Sequence, residues 1–580
     1  MCSTCGCGAP PEELSKVEQV KRSSNHLRGT LADELLTDAP AFSEESVQLL
    51  KFHGVYQQED RDKRKEARKL GLEKHHQMMM RTRIPGGVVA PAAYLAHDDV
   101  AQRWGNGTLR VTTRQDFQLH GVLKGDLRAS IRAINDALLT TLGGCGDVER
   151  NIMCCPAPFG DRLRADVAKV LPQLVNALTP TTGAYHEIWL NGELAVSSGP
   201  AEDEPLYGEQ YLPRKFKTAI ALEGDNCVDV HANDLGLVAF KDDDGGLGGF
   251  NVLVGGGLGR TNNKPETFAA VAVPLASVLP DQAVEVSRAV ITVQRDNGDR
   301  KNRRHARLKY LIADRGLPWF REQVQQLVPF VLADPRSVEW PAVDDHLGWH
   351  KQGDGRWFLN LYVENGRIAD NGNGELRSAL RRIVESMQPV VCLTPQQNVI
   401  ITGLGSDERD SVDRVLSEHG IAVNGRLHPL ILRSMACPAL PTCGLAVAES
   451  ERVLPDLIRR LAAMIDELGL RDAGISTRMT GCPNGCARPY LGDIGMVGTT
   501  LGKYDLFVGG DPQGARLNEL YAHSVRLEDI CDVLRPPLAA FAGERGDGEA
   551  FGDWCHRVGV AALRERFVAV EAAAGPRVAV

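Results

Sequence analysis

An α+β fold used twice, with related halves around a central cleft, is what this sequence predicts. The first observation is an internal repeat. Arg110-Val-Thr-Thr-Arg-Gln-Asp-Phe-Gln-Leu-His-Gly121 is echoed by Cys392-Leu-Thr-Pro-Gln-Gln-Asn-Val-Ile-Ile-Thr-Gly403, and Thr112, Gln115 and Gly121 match Thr394, Gln397 and Gly403 at one offset. The second is that fainter echoes extend the repeat. Arg83-Ile-Pro-Gly86 stands, displaced by two positions, where Val363-Glu-Asn-Gly366 stands. Arg150-Asn-Ile-Met-Cys-Cys-Pro resembles Arg433-Ser-Met-Ala-Cys-Pro, and Phe250-Asn-Val-Leu-Val-Gly-Gly resembles Tyr504-Asp-Leu-Phe-Val-Gly-Gly. The third is that period-two segments flanked by glycine turns alternate with helical stretches.

Taken from the N-terminus, Met-Cys-Ser-Thr-Cys-Gly-Cys-Gly lacks the charged-then-apolar layout of a signal peptide, so a cytoplasmic protein is expected. Cys2, Cys5 and Cys7 read as part of a disordered tail. Arg61 to Lys69 mixes acids with bases, as an exposed helix does. The chain has 580 residues, 43% of them hydrophobic, which suits a soluble enzyme of several domains, and no apolar run approaches membrane-spanning length. A net charge of -9 argues against nucleic acid as the main partner. Fourteen cysteines in a reducing compartment point to metal chemistry and core positions, not to disulfides. The glycine run Val254-Gly-Gly-Gly-Leu-Gly259 does not fit Gly-x-Gly-x-x-Gly, and its echo Val508-Gly-Gly-Asp marks it as a shared structural turn.

Four cysteines near the C-terminal end read as one metal site: Cys437 and Cys443 in Cys-Pro-Ala-Leu-Pro-Thr-Cys, Cys482 and Cys486 in Thr-Gly-Cys-Pro-Asn-Gly-Cys. Four thiolates in Gly/Pro-bent loops limit the candidates to zinc or an iron-sulfur cluster. Structural zinc pairs leave about two to four residues between ligands, and the wider first pair here favours 4Fe-4S. Between the pairs, Leu454, Leu457, Ile458, Leu461, Ile465 and Leu468 recur at helical spacing, with Pro455 suited to the first turn and Gly469 to the C-cap. A strand is expected at Ile475 to Met479, which would place the cysteine loops at neighbouring ends of a helix and a strand.

The two copies have diverged in charge. The first carries Arg83, Arg110, Arg114 and Arg150, where the second has Val363, Cys392, Gln396 and Arg433. Lys215 and Lys217 alternate along an extended stretch and so share a face. One copy is cationic and the other thiolate-bearing, so the active site is expected where both contribute.

Arg81-Thr-Arg-Ile-Pro-Gly-Gly87, Thr113-Arg-Gln-Asp-Phe-Gln-Leu-His-Gly121, Leu212-Pro-Arg-Lys-Phe-Lys-Thr218, His231-Ala-Asn-Asp234, Gln294-Arg-Asp296 and both cysteine loops resemble the hemoprotein (beta) component of NADPH-sulfite reductases. The resemblance runs from about Leu27 to Phe551. It implies ferredoxin-like half-domains at 81–146 and 347–424, a sulfite-binding α+β lobe at 147–346, a cofactor-binding lobe at 425–580, and an N-terminal extension and wrapping segment at 1–80. It also implies two cofactors, a siroheme and a 4Fe-4S cluster joined through Cys486, with Cys437, Cys443 and Cys482 holding the other irons. Arg110, Thr112, Arg114, Gln118, Arg307, Lys309 and Asn484 match cofactor-binding positions, although Arg307 and Lys309 exchange the residue types expected. Arg83, Arg150, Lys215 and Lys217 match positions that bind sulfite and assist its six-electron reduction to sulfide.

With no flavin or dinucleotide motif in the chain, electrons are expected from a flavoprotein partner carrying FAD and FMN, in a hetero-oligomer. Two other readings use the same residues: a nitrite reductase, and a non-catalytic zinc-stapled binding protein.

Overall fold

A computed structural model describes residues 13–181, 204–338, 340 and 342–568. Cys2, Cys5 and Cys7 lie outside the described residues. The chain divides into two compact units: the first comprises residues 1–257, 272–340 and 344–423, the second 258–271, 341–343 and 424–580. The stretch 258–271, expected within the sulfite-binding lobe, groups with the C-terminal unit.

In the first unit each copy of the repeat makes a five-stranded antiparallel sheet. One runs Val55–Glu59, His76–Arg81, Phe117–Val122, Leu109–Val111, Arg367–Ile368; the other runs Gly348–Lys351, Trp357–Leu361, Val399–Leu404, Val391–Leu393, Val88–Val89. The last strand of each comes from the other copy. Arg367 pairs with Arg110, and Val88 pairs with Cys392. The exchange depends on two glycines. A Cβ on Gly87 would sit 2.3 Å from the Leu393 carbonyl oxygen, and one on Gly366 would sit 2.4 Å from that of Val111; both glycines have positive φ. This register corrects the sequence alignment by one residue. Gly86 (φ 61) and Asn365 (φ 52) are the equivalent turn positions, so Arg83 corresponds to Tyr362 and not to Val363.

Gln115 reinforces the junction. Its backbone is left-handed (φ 57), and its amide nitrogen reaches the carbonyls of Gly86 (3.1 Å), Cys154 (2.9 Å) and Leu393 (2.9 Å). Residues 55–81 supply two strands of the first sheet, so the later part of the expected N-terminal extension and wrapping segment, 1–80, is built into that sheet. Farther toward the N-terminus, the helix Lys16–Ser23 is fixed by a buried ionic network in which Glu18 pairs with Arg300 (2.6 Å) and Asp147 with Arg303 (2.7 Å). The charged helix Arg64–Leu70 buries none of its residues, as its mixed charges predict.

The third sheet of this unit runs Val273–Val278, Leu247–Val254, Leu235–Lys241, Thr218–Leu222, Met153–Cys154. Its first three strands pair antiparallel and its last three parallel. Its parallel strand Thr218–Leu222 is buried throughout, the continuous apolar reading of a strand covered on both faces. Leu163, Val167 and Leu174 of the helix Arg162–Leu178 and Val286, Val290 and Val293 of the helix Ala283–Asn297 join its core. Each such aliphatic side chain contributes about 1.5–3 kcal/mol by leaving water.

The second unit repeats this pattern: Ser434–Ala436, Thr477–Thr480, Ile494–Thr500, Lys503–Val508, Glu519–Arg526, with parallel pairing at the first two junctions and antiparallel pairing beyond. The helix Leu454–Glu467 buries Leu454, Leu457, Ile458, Leu461 and Ile465, and Gly469 ends it at φ 69. The strand after it is Thr477–Thr480, two residues later than its expected start.

Candidate active site

Cys437 directly follows the strand Ser434–Ala436, and Cys482 lies just past Thr477–Thr480. These strands are parallel neighbours, so the loops leave adjacent strand ends and not, as expected, a helix end and a strand end. The Cys437 backbone N–H bonds the Met479 carbonyl (3.2 Å), and its sulfur accepts from the Gly481 N–H (3.4 Å). Burial pushes the Cys437 thiol up, as do Cys486, Cys482 and Cys443, each a charge when ionised. Burial, then Cys486, push Cys482 up to about 12, against donors from the Asn484 backbone and side chain. All four sulfurs therefore form one electrostatic group, and Asn484 serves Cys482. Thiols that hold protons this firmly are converted to thiolates by a cation among them, which fits a metal cluster. The soft, all-sulfur donor set is the chemistry iron-sulfur centres use.

The cationic residues lie in the first unit. Arg83 is buried, and its Nε and both terminal nitrogens have no hydrogen-bond partner among the described residues. Arg150 is buried too, donating Nε to the Gly146 carbonyl (3.0 Å) and one terminal nitrogen to that of Gly144 (3.2 Å). A Cβ on Gly143 would meet a terminal nitrogen of Arg83 at 3.4 Å, so both guanidiniums flank the turn at Gly143–Gly146. The Arg150 N–H bonds the Phe216 carbonyl (3.0 Å). Phe216 is buried in the core while Lys215 and Lys217 on either side of it are half-buried, the alternation of burial expected of an extended stretch. The stretch is extended with a bridge at Phe216, while the strand itself starts at Thr218.

The remaining predicted residues divide. Arg110 and Gln118 are buried and directly opposed on neighbouring strands. With its amide oriented to satisfy both groups, the Gln118 oxygen accepts from Arg81 Nε (3.1 Å). Thr112 caps its own turn, its hydroxyl oxygen accepting from the Arg114 N–H (3.1 Å) and the Asp116 N–H (3.2 Å). Arg114 spends all three nitrogens on protein oxygens, those of Asn151 (2.9 Å), the Asn233 side chain (2.8 Å) and Thr218 (2.6 Å). Arg307 forks onto the buried carboxylate of Asp234 (2.9 and 2.7 Å), and Lys309 donates to the Gly257 carbonyl (2.9 Å). Arg114 and Arg307 thus brace the His-Ala-Asn-Asp turn.

The sequence reading passed over Glu149. Its carboxylate accepts from the Thr218 N–H (3.0 Å) and hydroxyl (2.8 Å). Burial pushes it up to about 7, against the pull of Arg114, Thr218 and Arg83. A carboxyl held toward its neutral form leaves the surrounding cationic charge available to an anion. Its adjacency to Arg150 was the one available signal. Because the folded state binds this proton more tightly than the unfolded chain, its contribution to stability is full below about pH 4.5 and is lost as the pH rises through about 7. Glu149→Gln, which keeps an acceptor, is expected to remove up to about 1.4 kcal/mol per pH unit of slope in that window. Urea unfolding across pH 4.5–7 checks it, and a profile parallel to the parent's would refute it.

A duplicated α+β protein with a thiolate metal centre and a set of buried cations suited to an oxyanion is the class these features define. Family comparison makes it specific. The model described as nitrite and sulphite reductase 4Fe-4S domain matches residues 174–330, and the nitrite/sulfite reductase ferredoxin-like half domain matches 71–137 and 350–419. A protein named sulfite reductase (ferredoxin) from Synechococcus elongatus is 46% identical over 96% of this chain and 91% of its own. Proteins named sulfite reductase (NADPH) hemoprotein beta-component from a Paenibacillus species and a Methylobacterium species are 45% and 46% identical, each over 95% of this chain and over 96% and 91% of their own. The solved structure of Mycobacterium tuberculosis NirA shares the fold, with TM-score 0.77 and 24% identity over 95% of this chain and 97% of that one. This chain belongs to the nitrite and sulphite reductase family. The stretch matched as the 4Fe-4S domain is in the first copy, whereas Cys437, Cys443, Cys482 and Cys486 are in the second, as expected if the unit occurs twice. No described helix is long and apolar enough to cross a membrane.

Proposed function

We propose that this chain is the hemoprotein of an assimilatory sulfite reductase, reducing sulfite to sulfide for cysteine biosynthesis with electrons from NADPH delivered by an FAD/FMN flavoprotein. The buried Arg83 guanidinium carries the reading: it makes no side-chain hydrogen bond among the described residues, and the carboxyls that attract it, Glu149 and Asp116, are themselves pushed up to about 7 by burial, so a charge at that depth is costly unless an anion meets it. When bound, a siroheme coupled to a 4Fe-4S cluster supplies single electrons to a sulfur oxyanion. Cys437, Cys443, Cys482 and Cys486 would hold the cluster, with Cys486 shared with the siroheme iron. Arg110, Arg114 and Gln118, with Thr112, Arg307, Lys309 and Asn484, would fix the cofactors, Arg114 and Arg307 by bracing the surrounding turn.

Arg83 and Arg150 would orient the substrate oxygens through charge-assisted hydrogen bonds. Hydrogen sulfite takes six electrons and six protons to give HS⁻ and three waters, so every oxygen removed needs protons. Lys215 and Lys217 can give them, since an ammonium yields a proton on desolvation and a guanidinium does not.

The electron donor decides between two arrangements, because relatives of nearly equal identity are named for ferredoxin and for NADPH. The purified chain is expected to reduce sulfite with reduced methyl viologen, to leave NADPH untouched, and to use NADPH once a flavoprotein reductase is added. NADPH oxidation by the chain alone would overturn the assignment, and turnover with reduced ferredoxin but not the flavoprotein would replace the partner.

A further inference from the structure

The first copy holds its own cluster of metal-ligand side chains, where the second keeps its cysteines. In each copy the middle strand begins with equivalent residues: Thr218 pairs with Leu235, and Thr477 with Ile494. Counting from them, Cys227 stands at the place of Cys486, and Asp225 at that of Asn484. Asp229 stands at that of Arg488, both with left-handed backbone (φ 48 and 53). On the other side Met153 pairs with Ala219 as Met435 pairs with Arg478, which puts Cys155 at the place of Cys437. Two of the four cysteine positions are therefore occupied by cysteine in the first copy.

The donors converge. The ligand atoms of Cys155, Asp225 and Cys227 lie within 4.8 Å of one another. Cys155 Sγ is 3.0 Å from Asp225 Oδ2, and His346 Nε2 is 2.9 Å from the same oxygen. His346 also interacts electrostatically with the Cys155 sulfur. Cys227 and Asp225 are buried, at 1% and 6% exposure, and the edge of Phe159 packs on His346 with ring centroids 5.2 Å apart. The donors come from three stretches of the first unit: the end of the strand Met153–Cys154, the turn after Thr218–Leu222, and the approach to Gly348–Lys351.

We propose that Cys155, Cys227, Asp225 and His346 form a second metal site that takes a single divalent ion of the zinc class. Two sulfurs, an imidazole nitrogen and a carboxylate oxygen are a four-ligand set zinc accepts, and zinc with bonds of about 2.0–2.3 Å keeps its ligands about 3.3–3.8 Å apart. The present hydrogen-bonded contacts need to open by less than about 1 Å to reach that shell. The charges balance as well. Two thiolates, one carboxylate and Zn²⁺ leave one negative charge, and Arg164, 2.6 Å from Asp225 Oδ2, neutralises it.

A four-iron cube does not fit. Glu223 stands at the place of Cys482 and turns to accept from the Lys241 N–H (3.0 Å), while Asp161, as far past Cys155 as Cys443 is past Cys437, caps the helix Arg162–Leu178. The ion would staple three stretches distant in sequence, a structural role.

The test uses the full-length enzyme isolated with its iron cofactors. After incubation with zinc and removal of the excess, elemental analysis is expected to give about one zinc per chain beyond the iron, and X-ray absorption at the zinc edge about two sulfur and two nitrogen or oxygen neighbours. Cys155→Ser and Cys227→Ser should each lose at least tenfold in zinc occupancy at limiting zinc while keeping the parent's iron content and visible spectrum. Should either fold poorly, alkylation of the parent serves instead, with zinc expected to protect Cys155 and Cys227 from labelling. Absence of zinc from the parent, full occupancy in both variants, four sulfur neighbours, equal labelling with and without zinc, or a Cys155–Cys227 disulfide would each overturn the proposal.

Discussion

Cys486→Ser is expected to leave a protein that folds but reduces sulfite at less than about one-hundredth of the parent rate. Even residues that only support a metal ligand typically cost about 10–100-fold when replaced, and the role proposed for Cys486, a direct ligand to two centres, predicts a larger cost. Serine's hard oxygen is a poor ligand for soft iron sites. Cys486 is exposed in its loop, so the substitution disturbs little packing and the loss should be one of cofactor chemistry. Cys531→Ser, on the helix Ile530–Glu544, is the control and should match the parent. Iron analysis, the visible spectrum and viologen-driven turnover measure the effect; parent-like values for all three would remove the bridging role from Cys486.

The oxyanion set comes second in size. Lys215→Met and Lys217→Met should lower kcat by about 10²–10⁴-fold, the span ordinary for loss of a positioned proton donor. Arg83→Ser should act on kcat/KM by about 10–150-fold, corresponding to the 1.5–3 kcal/mol of a charged hydrogen bond. Here folding is not the loser. Arg83 has no side-chain hydrogen bond among the described residues to forfeit, and burial weighs on it more than the attraction of Glu149 and Asp116 relieves, so the variant should be at least as stable as the parent. A gain in stability with a loss of activity separates a site residue from a structural one. Four variants, the three above and Arg150→Ser, as active as the parent at low sulfite would dissolve the pocket.

What could be read from the sequence was what is local. The cysteine loops announce themselves because cluster ligands need short, bent segments, and the repeat shows because turn residues such as Gln115 and Gln397 sit where the backbone is left-handed. The helix between the loops followed from spacing alone. The strand exchange could not be read, since Val88–Val89 and Arg367–Ile368 are two residues long and carry no period. Nor could the saturation of Arg114, whose three partners lie 37, 104 and 119 residues away, or the closing of His346 on Asp225 across 121 residues. Charge counts say that an arginine is present; only the fold says which oxygens have already claimed it.

The exchanged strands give the molecule a history as well as a shape. A half-domain able to finish its own sheet could be cut out, shuffled or lost; one that borrows its fifth strand cannot. Leu109 waits for Ile368, so the first sheet stays one strand short while the ribosome adds the whole intervening lobe. Until then Leu109–Val111 is an open edge, the kind of surface that pairs with the wrong chain. Two ancestral copies that trade strands have in effect signed a mutual contract: each may change its chemistry, one toward cations and the other toward thiolates elsewhere in the chain, but neither can leave.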